Sequence, residues 1–312
     1  MRVSVVIPNW NGEKLLRKNL PKVIESGVGS WELGVRGRKE SLVIEIIVVD
    51  DGSKDKSIEY LKTIVLNSEP RTQNPELKII ENKKNRGFIY SCNRGVKEAK
   101  GEIIVLLNND VVPEKGFLEH ALPHFKDPKV FAVSFHEPDW SWARIEWQKG
   151  FVQHFSGPKT NVAHISAWAS GGSAAFRKSI WQELGGFDPL YAPFYWEDID
   201  LSYRAWKRGY KVLWEPKAVV YHKHEGTISR FSKNYVRMIS ERNQLLFIWK
   251  NIASSKMMFE HHLWLGKKLL TTFGYWKPFL AAVVKIPQIL PRRFKEIREK
   301  KIGDSGVLAK FR

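Results

Sequence analysis

Residues 3–26 read VSVVIPNWNGEKLLRKNLPKVIES, and this stretch changes character twice. It opens with a short apolar run, 3–8, of strand length. A polar cluster, Pro8-Asn9-Trp10-Asn11, ends the run. From Gly12 onward Leu15, Leu16, Leu20, Val23 and Ile24 recur at helical spacing. The unit of strand, polar end and amphipathic helix then repeats. IEIIVVD (44–50) precedes a helical pattern at 56–66, LKIIE (77–81) one near 88–99, and EIIVLLN (102–108) one from about 114, before a further strand, VFAVSF (130–135). Apolar strands alternating with amphipathic helices predict an α/β fold, a mostly parallel central sheet buried by helices on both faces. Such sheets hold ligands at the carboxyl ends of their strands.

The polar clusters fall at those ends. The first strand runs into Pro8, Asn9 and Asn11, the second into Asp50-Asp51-Gly52-Ser53, and the fourth into Asn108-Asn109-Asp110. One such cluster is ordinary turn chemistry; three in register predict a shared binding rim. GVGSWELGVRGRKESLV (27–43) reads as a Gly-rich, basic surface insertion. The stretch 136–170 carries Trp140, Trp142, Trp147 and Trp168 with weak periodicity, and fits either an acceptor-facing subregion or a folded-over layer. Residues 232–252 predict an amphipathic helix packed on the core through Tyr235, Met238, Ile239, Leu245, Leu246 and Trp249.

At 312 residues and 43% hydrophobic, the chain suits one large domain or two modest ones. The single cysteine, Cys92, cannot form an internal disulfide, which points to a reducing, cytoplasmic setting. The N-terminal apolar run is too short for a signal-peptide core, and no stretch of 18 apolar residues marks a membrane span. The net charge is +18, and residues 251–312 hold 13 Lys or Arg against 4 Asp or Glu, half of that excess. This segment alternates apolar patches with cations and is broken by Pro278, Pro287 and Pro291. It reads as a basic helical extension lying in the interface of an anionic membrane, with Trp264, Tyr275 and Trp276 as anchors. No nucleic-acid partner is expected, because the excess lies beyond the polar rim and no recognition motif accompanies it.

PFYWEDIDLSYRAWKRGYKV (193–212) sets Glu197, Asp198 and Asp200 among Phe194, Tyr195, Trp196 and Tyr203. Carboxylates in apolar company are costly, and a site is where that cost is useful. On a helix, Asp198 and Asp200 point roughly 200° apart and cannot serve one site together. Asp200 stands four residues before Arg204, the spacing of a helical ion pair, and is assigned that role. The plainer reading of all three is acids favouring the positive end of a helix dipole.

VSVVIPNWNG, IIVVDDGSKDKS, NRGFIYSCNRGVKEAKGEIIVLLNNDV, ASGGSAAFRKSIWQELGGFDPLYAPFYWEDIDLSYRAWKRGYKV and AVVYHKHEGTIS occur in this order. Together they resemble family 2 glycosyltransferases, inverting enzymes of the GT-A fold, and within them the rhamnosyltransferase-like branch. The resemblance implies a GT-A (Rossmann-like) catalytic domain over 1–250, followed by the helical extension 251–312. It implies transfer of a sugar from a nucleotide-diphosphate donor to a hydroxyl of a glycan or lipid-linked acceptor in cell-surface polysaccharide synthesis, with a divalent Mg or Mn ion. It would place the enzyme at the inner face of the cell membrane.

Residue by residue, the resemblance assigns the donor's base and ribose to Pro8, Asn9, Asn11 and the VVDDGS segment, with Asp50 slightly ahead of Asp51. One of these two acids could equally do no more than cap a helix. Arg86 and Asn93 would face the diphosphate and nucleotide, although Arg86 also reads as a surface cation. The family's D-x-D triplet is Asn108-Asn109-Asp110 here. Asp110 is left as the metal ligand, while Asn108 would bond ribose or a phosphate-bound water. The missing first acid also motivates a rival, a sugar-nucleotide-binding protein with impaired chemistry. His222 matches a histidine the family often supplies to the metal, with His224 the spare. Glu197-Asp198 matches the family's E-D pair, which makes Asp198 the general base and Glu197 its neighbour orienting the acceptor or the loop. Gly171 and Gly172 either approach the donor sugar or make a tight turn. Trp196, with Tyr195, offers a face on which a sugar can pack and water be excluded.

Overall fold

The computed structural model describes residues 1–27, 30–31, 40–41, 43–67, 75–222 and 231–312. In chain order the first elements are β1 (Val3–Asn9), α1 (Glu13–Gly27), β2 (Ser30–Trp31), β3 (Glu40–Ser41), β4 (Val43–Asp50), α2 (Ser57–Asn67), β5 (Glu76–Glu81), α3 (Phe88–Glu98), β6 (Ile103–Leu107), β7 (Val111–Pro113) and α4 (Phe117–Ala121). There follow β8 (Val130–His136), β9 (Ala143–Gln148), β10 (Phe151–Ser156), β11 (His164–Ile165), β12 (Ser173–Arg177), α5 (Lys178–Leu184), α6 (Glu197–Lys207) and β13 (Lys211–His222). The chain ends in α7 (Lys233–Asn251), α8 (Ser255–Thr271), α9 (Trp276–Val283), α10 (Ile286–Glu299) and α11 (Asp304–Leu308).

The central sheet runs β11-β13-β8-β12-β6-β1-β4-β5. From β6 to β5 it is parallel, and β13 is parallel to β8. Between these halves β12 lies antiparallel to both β6 and β8. Side chains alternate across a strand, so each strand feeds two cores. Val6, Ile47, Val49, Ile104 and Leu106 pack beneath α3, α5 and α6. Val5, Ile7, Ile46, Val48, Ile103 and Val105 pack against Leu16, Leu20 and Val23 of α1 and Phe117 of α4. Burial on both faces is why the strands read as continuous apolar runs. The helix expected from about residue 114 starts at Phe117, because Gly116 holds a left-handed φ of 81° just before it.

The tryptophan-rich stretch forms a β9–β10 hairpin and the short β11. Trp142 is buried in it and stacks on His164 at 3.9 Å between ring centroids. In the insertion, β2 pairs with β3; most of the remainder lies outside the described residues.

The C-terminal helices pack back onto the sheet-bearing part. Asp304 accepts hydrogen bonds from the Ala253 and Ser254 amides and from the Tyr203 hydroxyl, at 2.7 to 2.9 Å. Arg208 pairs with Glu296 at 2.8 Å, and Arg292 with Asp188 at 2.9 Å. Val307, Leu308 and Phe311 are buried, Phe311 edge-on to Trp206. This cover also explains why α7 is buried on more than its expected stripe, with Arg242, Asn243 and Asn251 inside. Tyr235 of that stripe is 38% exposed instead. Tyr275, read as a surface anchor, is 1% exposed beneath Lys268. Among the described residues no helix is long and apolar enough to cross a membrane.

Candidate active site

The carboxyl ends of β1, β4 and β6 meet in a cleft of about 1050 Å³. Parallel register sets Asn9 beside Asp50, and the turn after β6 brings Asn108, Asn109 and Asp110 alongside. Asn9 ties these loops together. Its amide nitrogen donates to Asp50 Oδ2 at 2.9 Å, and its oxygen accepts from Asn109 at 2.8 Å. Asp50 also accepts from the Ser53 amide and hydroxyl, at 2.9 and 2.6 Å, so both its oxygens serve the β4–α2 turn. Asp51 reaches the cleft. It accepts from Asn82 at 2.7 Å and from the Arg86 and Gly87 amides at 2.9 and 2.7 Å, which fixes the start of α3. On the facing wall the Asn108 amide donates to the Gly172 carbonyl at 2.8 Å.

Further along the cleft, Asp110 is 2% exposed. Its Oδ1 lies 3.1 Å from His222 Nε2, and the other ring nitrogen lies 3.2 Å from Glu137 Oε1. Glu137 Oε1 also accepts from Ser173 at 2.7 Å. Burial works against an imidazolium, yet the bonds to Asp110 and Glu137 push His222 up to about 9. Among the described residues no group of three or more His, Cys, Asp or Glu side chains is placed to hold an ion. One carboxylate and one imidazole do fit a cation that draws its other ligands from diphosphate oxygens and water.

Opposite, the start of α6 delivers Glu197 and Asp198. Asp198 Oδ1 accepts from the Ile199 amide at 2.8 Å and Oδ2 from the Gly171 amide at 3.3 Å. Burial raises Asp198 above the usual carboxylate range, those backbone bonds notwithstanding. Glu197 is buried, with Oε2 lacking a hydrogen-bond partner. Burial and the adjacent Asp198 push it up to about 8. Burial thus works against charge on both members of this adjacent pair, and Glu197 has Asp198 against it as well. Asp200 points into the protein, bonded to Arg204 at 2.8 Å, Lys250 at 2.9 Å, Tyr191 at 2.7 Å and Asn251 at 2.8 Å. The i,i+4 pair with Arg204 is the one the spacing predicted.

A family model described as glycosyl transferase family 2 matches residues 4–185. The chain belongs to glycosyl transferase family 2. A second model, glycosyl transferase family group 2, matches residues 103–288. The chain is 29% identical over 224 residues to inactive polypeptide N-acetylgalactosaminyltransferase-like protein 5 of Macaca fascicularis, covering 62% of this chain and 49% of that protein. It is 24% identical over 208 residues to poly-beta-1,6-N-acetyl-D-glucosamine synthase of Staphylococcus aureus (strain COL), covering 65% and 48%. The chain thus spans about half the length of these curated relatives. Among solved structures, GalNAc-T7 with UDP, GalNAc and Mn2+ aligns with a TM-score of 0.60 at 18% identity, over 88% of this chain and 57% of that one. Mannosyltransferase PcManGT from Pyrobaculum calidifontis, with GDP-Man and Mn2+, gives 0.55 at 17% over 99% and 85%. S. aureus TarS 1-349 with UDP-GlcNAc gives 0.56 at 17% over 96% and 82%. These likenesses show the fold, the GT-A arrangement of a family 2 glycosyltransferase.

The family's motif positions separate in space. Pro8, Asn9, Asp51, Asn108, Asn109, Asp110, Gly171, Gly172, Glu197, Asp198 and His222 all line the cleft, with His222 beside Asp110 and Gly172 beside Asn108. Five positions do not line it. Asp50 is taken up by the β4–α2 turn. Asn11 bonds the Ser53 hydroxyl and the Lys54 amide across that turn. Arg86 is exposed and lies over the Tyr90 ring at 3.4 Å. Asn93 holds the loop at Phe187, donating to its carbonyl at 2.8 Å and accepting from its amide at 3.0 Å. Trp196 is 3% exposed, packed on Phe247 and edge-on to His154, and its faces are closed to a sugar in this cleft. Tyr195, at 38%, and Trp168 are among the aromatics that do line it. His224 lies outside the described residues. Glu137 and His154 line the cleft without any motif having marked them, and Ser173 lies within a quoted motif but was not singled out.

Proposed function

We propose that the chain is an inverting glycosyltransferase that moves a sugar from a nucleotide-diphosphate donor to an acceptor hydroxyl. One observation carries this reading: Asp110 and Asp198, nearly ninety positions apart, open onto the same cleft. Nucleotide binding falls to the Asn9, Asp51 and Asn108 side. Asp110 and His222 would hold a Mg or Mn ion, which would neutralise charge on the leaving diphosphate. Asp198 takes the acceptor's proton as its oxygen bonds to the anomeric carbon and the carbon–oxygen bond to the diphosphate breaks. Protonated Glu197 keeps a second negative charge out of the pocket, and Gly171 orients the base. A thermal-shift screen of nucleotide diphosphates and their sugars, with and without Mn2+, tests donor binding. Sugar turnover in the same samples tests chemistry. Turnover is expected with at least one donor; stabilisation with no turnover of any donor would favour the impaired binding protein that Asn108 suggests.

A rhamnosyl or other hexosyl donor rests on motif resemblance, whereas the names of the relatives speak for N-acetylhexosamines; the screen covers both. The setting we propose is cell-envelope polysaccharide synthesis, in the cytoplasm at the inner membrane face. Its support is the exposed apolar side of α8 to α10, with Phe259, Leu263, Leu270, Phe273, Leu280 and Phe294 each more than half exposed. Cations border it, a combination suited to an anionic leaflet.

A further inference from the structure

A second groove, of about 830 Å³, shares His154, Trp168, Tyr195, Asp198 and Phe231 with the donor cleft. The base therefore stands where the two spaces join. One wall of the groove is aromatic, from Trp168 and Tyr195. The other is a single face of α7, since Lys233, Val236, Arg237 and Ser240 follow the 3, 4, 7 spacing of neighbours on a helix. That face places two cations in the groove. Among the described residues, Asp198 lines the same groove and Glu241 pairs with Arg237 at 3.2 Å. His154 adds no third cation, because burial holds its ring below the ordinary value. The donor's diphosphate has its own partners at the Asp110 and His222 end, so these cations are not needed for the donor.

We infer that this groove takes an acceptor sugar carried on a phosphate or diphosphate, its ring against Trp168 and Tyr195, its hydroxyl at Asp198 and its phosphate at Lys233 and Arg237. The inference rests on the glycosyltransferase reading and names the acceptor class for it. Arg in particular binds phosphate by paired, charge-assisted hydrogen bonds, and an aromatic face is a sequence-tolerant platform for a ring.

The test uses the full chain and a panel of octyl-diphosphoryl hexoses and N-acetylhexosamines, the matching uncharged octyl glycosides, and the sugar 1-phosphates without a chain. Binding is measured by calorimetry and acceptor KM by transfer. At least one charged acceptor is expected to bind about tenfold or more tighter than its uncharged match, with the advantage shrinking as salt rises. The double variant K233Q/R237Q, checked for folding by its melting temperature, is expected to erase that advantage and raise the acceptor KM by a similar factor. Preference for the octyl diphosphates over the sugar 1-phosphates assigns a lipid-linked source; equal binding assigns a free sugar phosphate. If no charged acceptor is preferred, or the preference survives in the double variant, the inference is overturned. Nucleotide-sugar binding and turnover by the wild type, followed in parallel, separate that outcome from failure of the glycosyltransferase reading.

Discussion

At the scale of single residues, Glu197 and Asp200 are both buried, yet their carboxyl groups shift in opposite directions. Glu197 holds its proton in the folded chain up to about pH 8, against an ordinary 4.5. Between these values the folded chain binds the extra proton, so Glu197 lowers stability as pH rises, by up to about 1.4 kcal/mol per pH unit, and then levels off. Denaturation by urea at pH 5 to 8 should show a shallower decline for E197Q than for wild type; parallel curves would contradict the burial argument. For Asp200, burial alone would raise the pKa, but Lys250 and Arg204 hold it well below the carboxylate range. Its contribution is present above the ordinary 3.8 and is lost as pH falls below it. Gly172 makes a different kind of demand. A Cβ there would collide with the Asn108 side chain, so G172A should cost about 1–3 kcal/mol and weaken donor binding, measured by denaturation and by the donor thermal shift. The Asp200–Arg204 pair was legible because both partners lie on one helix. Asn93 and Trp196 were not, because their fates depend on Phe187 and Phe247, neither of which is a sequence neighbour, whereas the local role of Asp50, bonded to Ser53, was one of two readings left open. Glu137 meets His222 only because β8 pairs with β13, and a lone acid beside tryptophans carries no signal of that.

At the scale of elements, the segment before α6 is held by α7. Tyr195 and Trp196 have φ of 69° and 75°, a left-handed conformation unfavourable for such bulky residues. Buried Asn243 stands behind them, its side-chain amide within 2.7 to 2.9 Å of the Tyr191, Phe194 and Tyr195 carbonyls. N243A would leave these carbonyls without that donor, at about 1–3 kcal/mol. Chemical denaturation should show this loss, and kcat should fall with it as Asp198 shifts from its place. Unchanged stability would argue that water replaces the amide. The alternation of strands and helices up to β6 was readable from periodicity alone. The antiparallel β12 was not, since a five-residue SAAFR gives no indication that it inserts between strands far earlier in the chain.

At the scale of the whole molecule, the basic C-terminal segment does two things. Some of its cations bind the body of the protein: Arg292 reaches Asp188, and Arg293 donates to the Trp249 and Ile252 carbonyls. Deleting the segment would strip Phe311 and Val307 from the core, so the membrane proposal calls for surface changes instead. L270S/F273S/F294S should leave the melting temperature within a few degrees and sharply reduce flotation with anionic liposomes. Undiminished flotation would contradict the proposal. Composition showed the charge excess and its location, but which cations pair internally depends on acids supplied by the rest of the chain.

The central claim is that Asp198, across one cleft from Asp110, accepts the proton of a sugar-transfer step. It is tested most directly by turnover of the donor found in the screen, in Mn2+, by wild type and D198N, with donor affinity measured on both. The account predicts unchanged donor affinity and a rate lower by about 10²- to 10⁴-fold in D198N. Equal rates for the two proteins would contradict it.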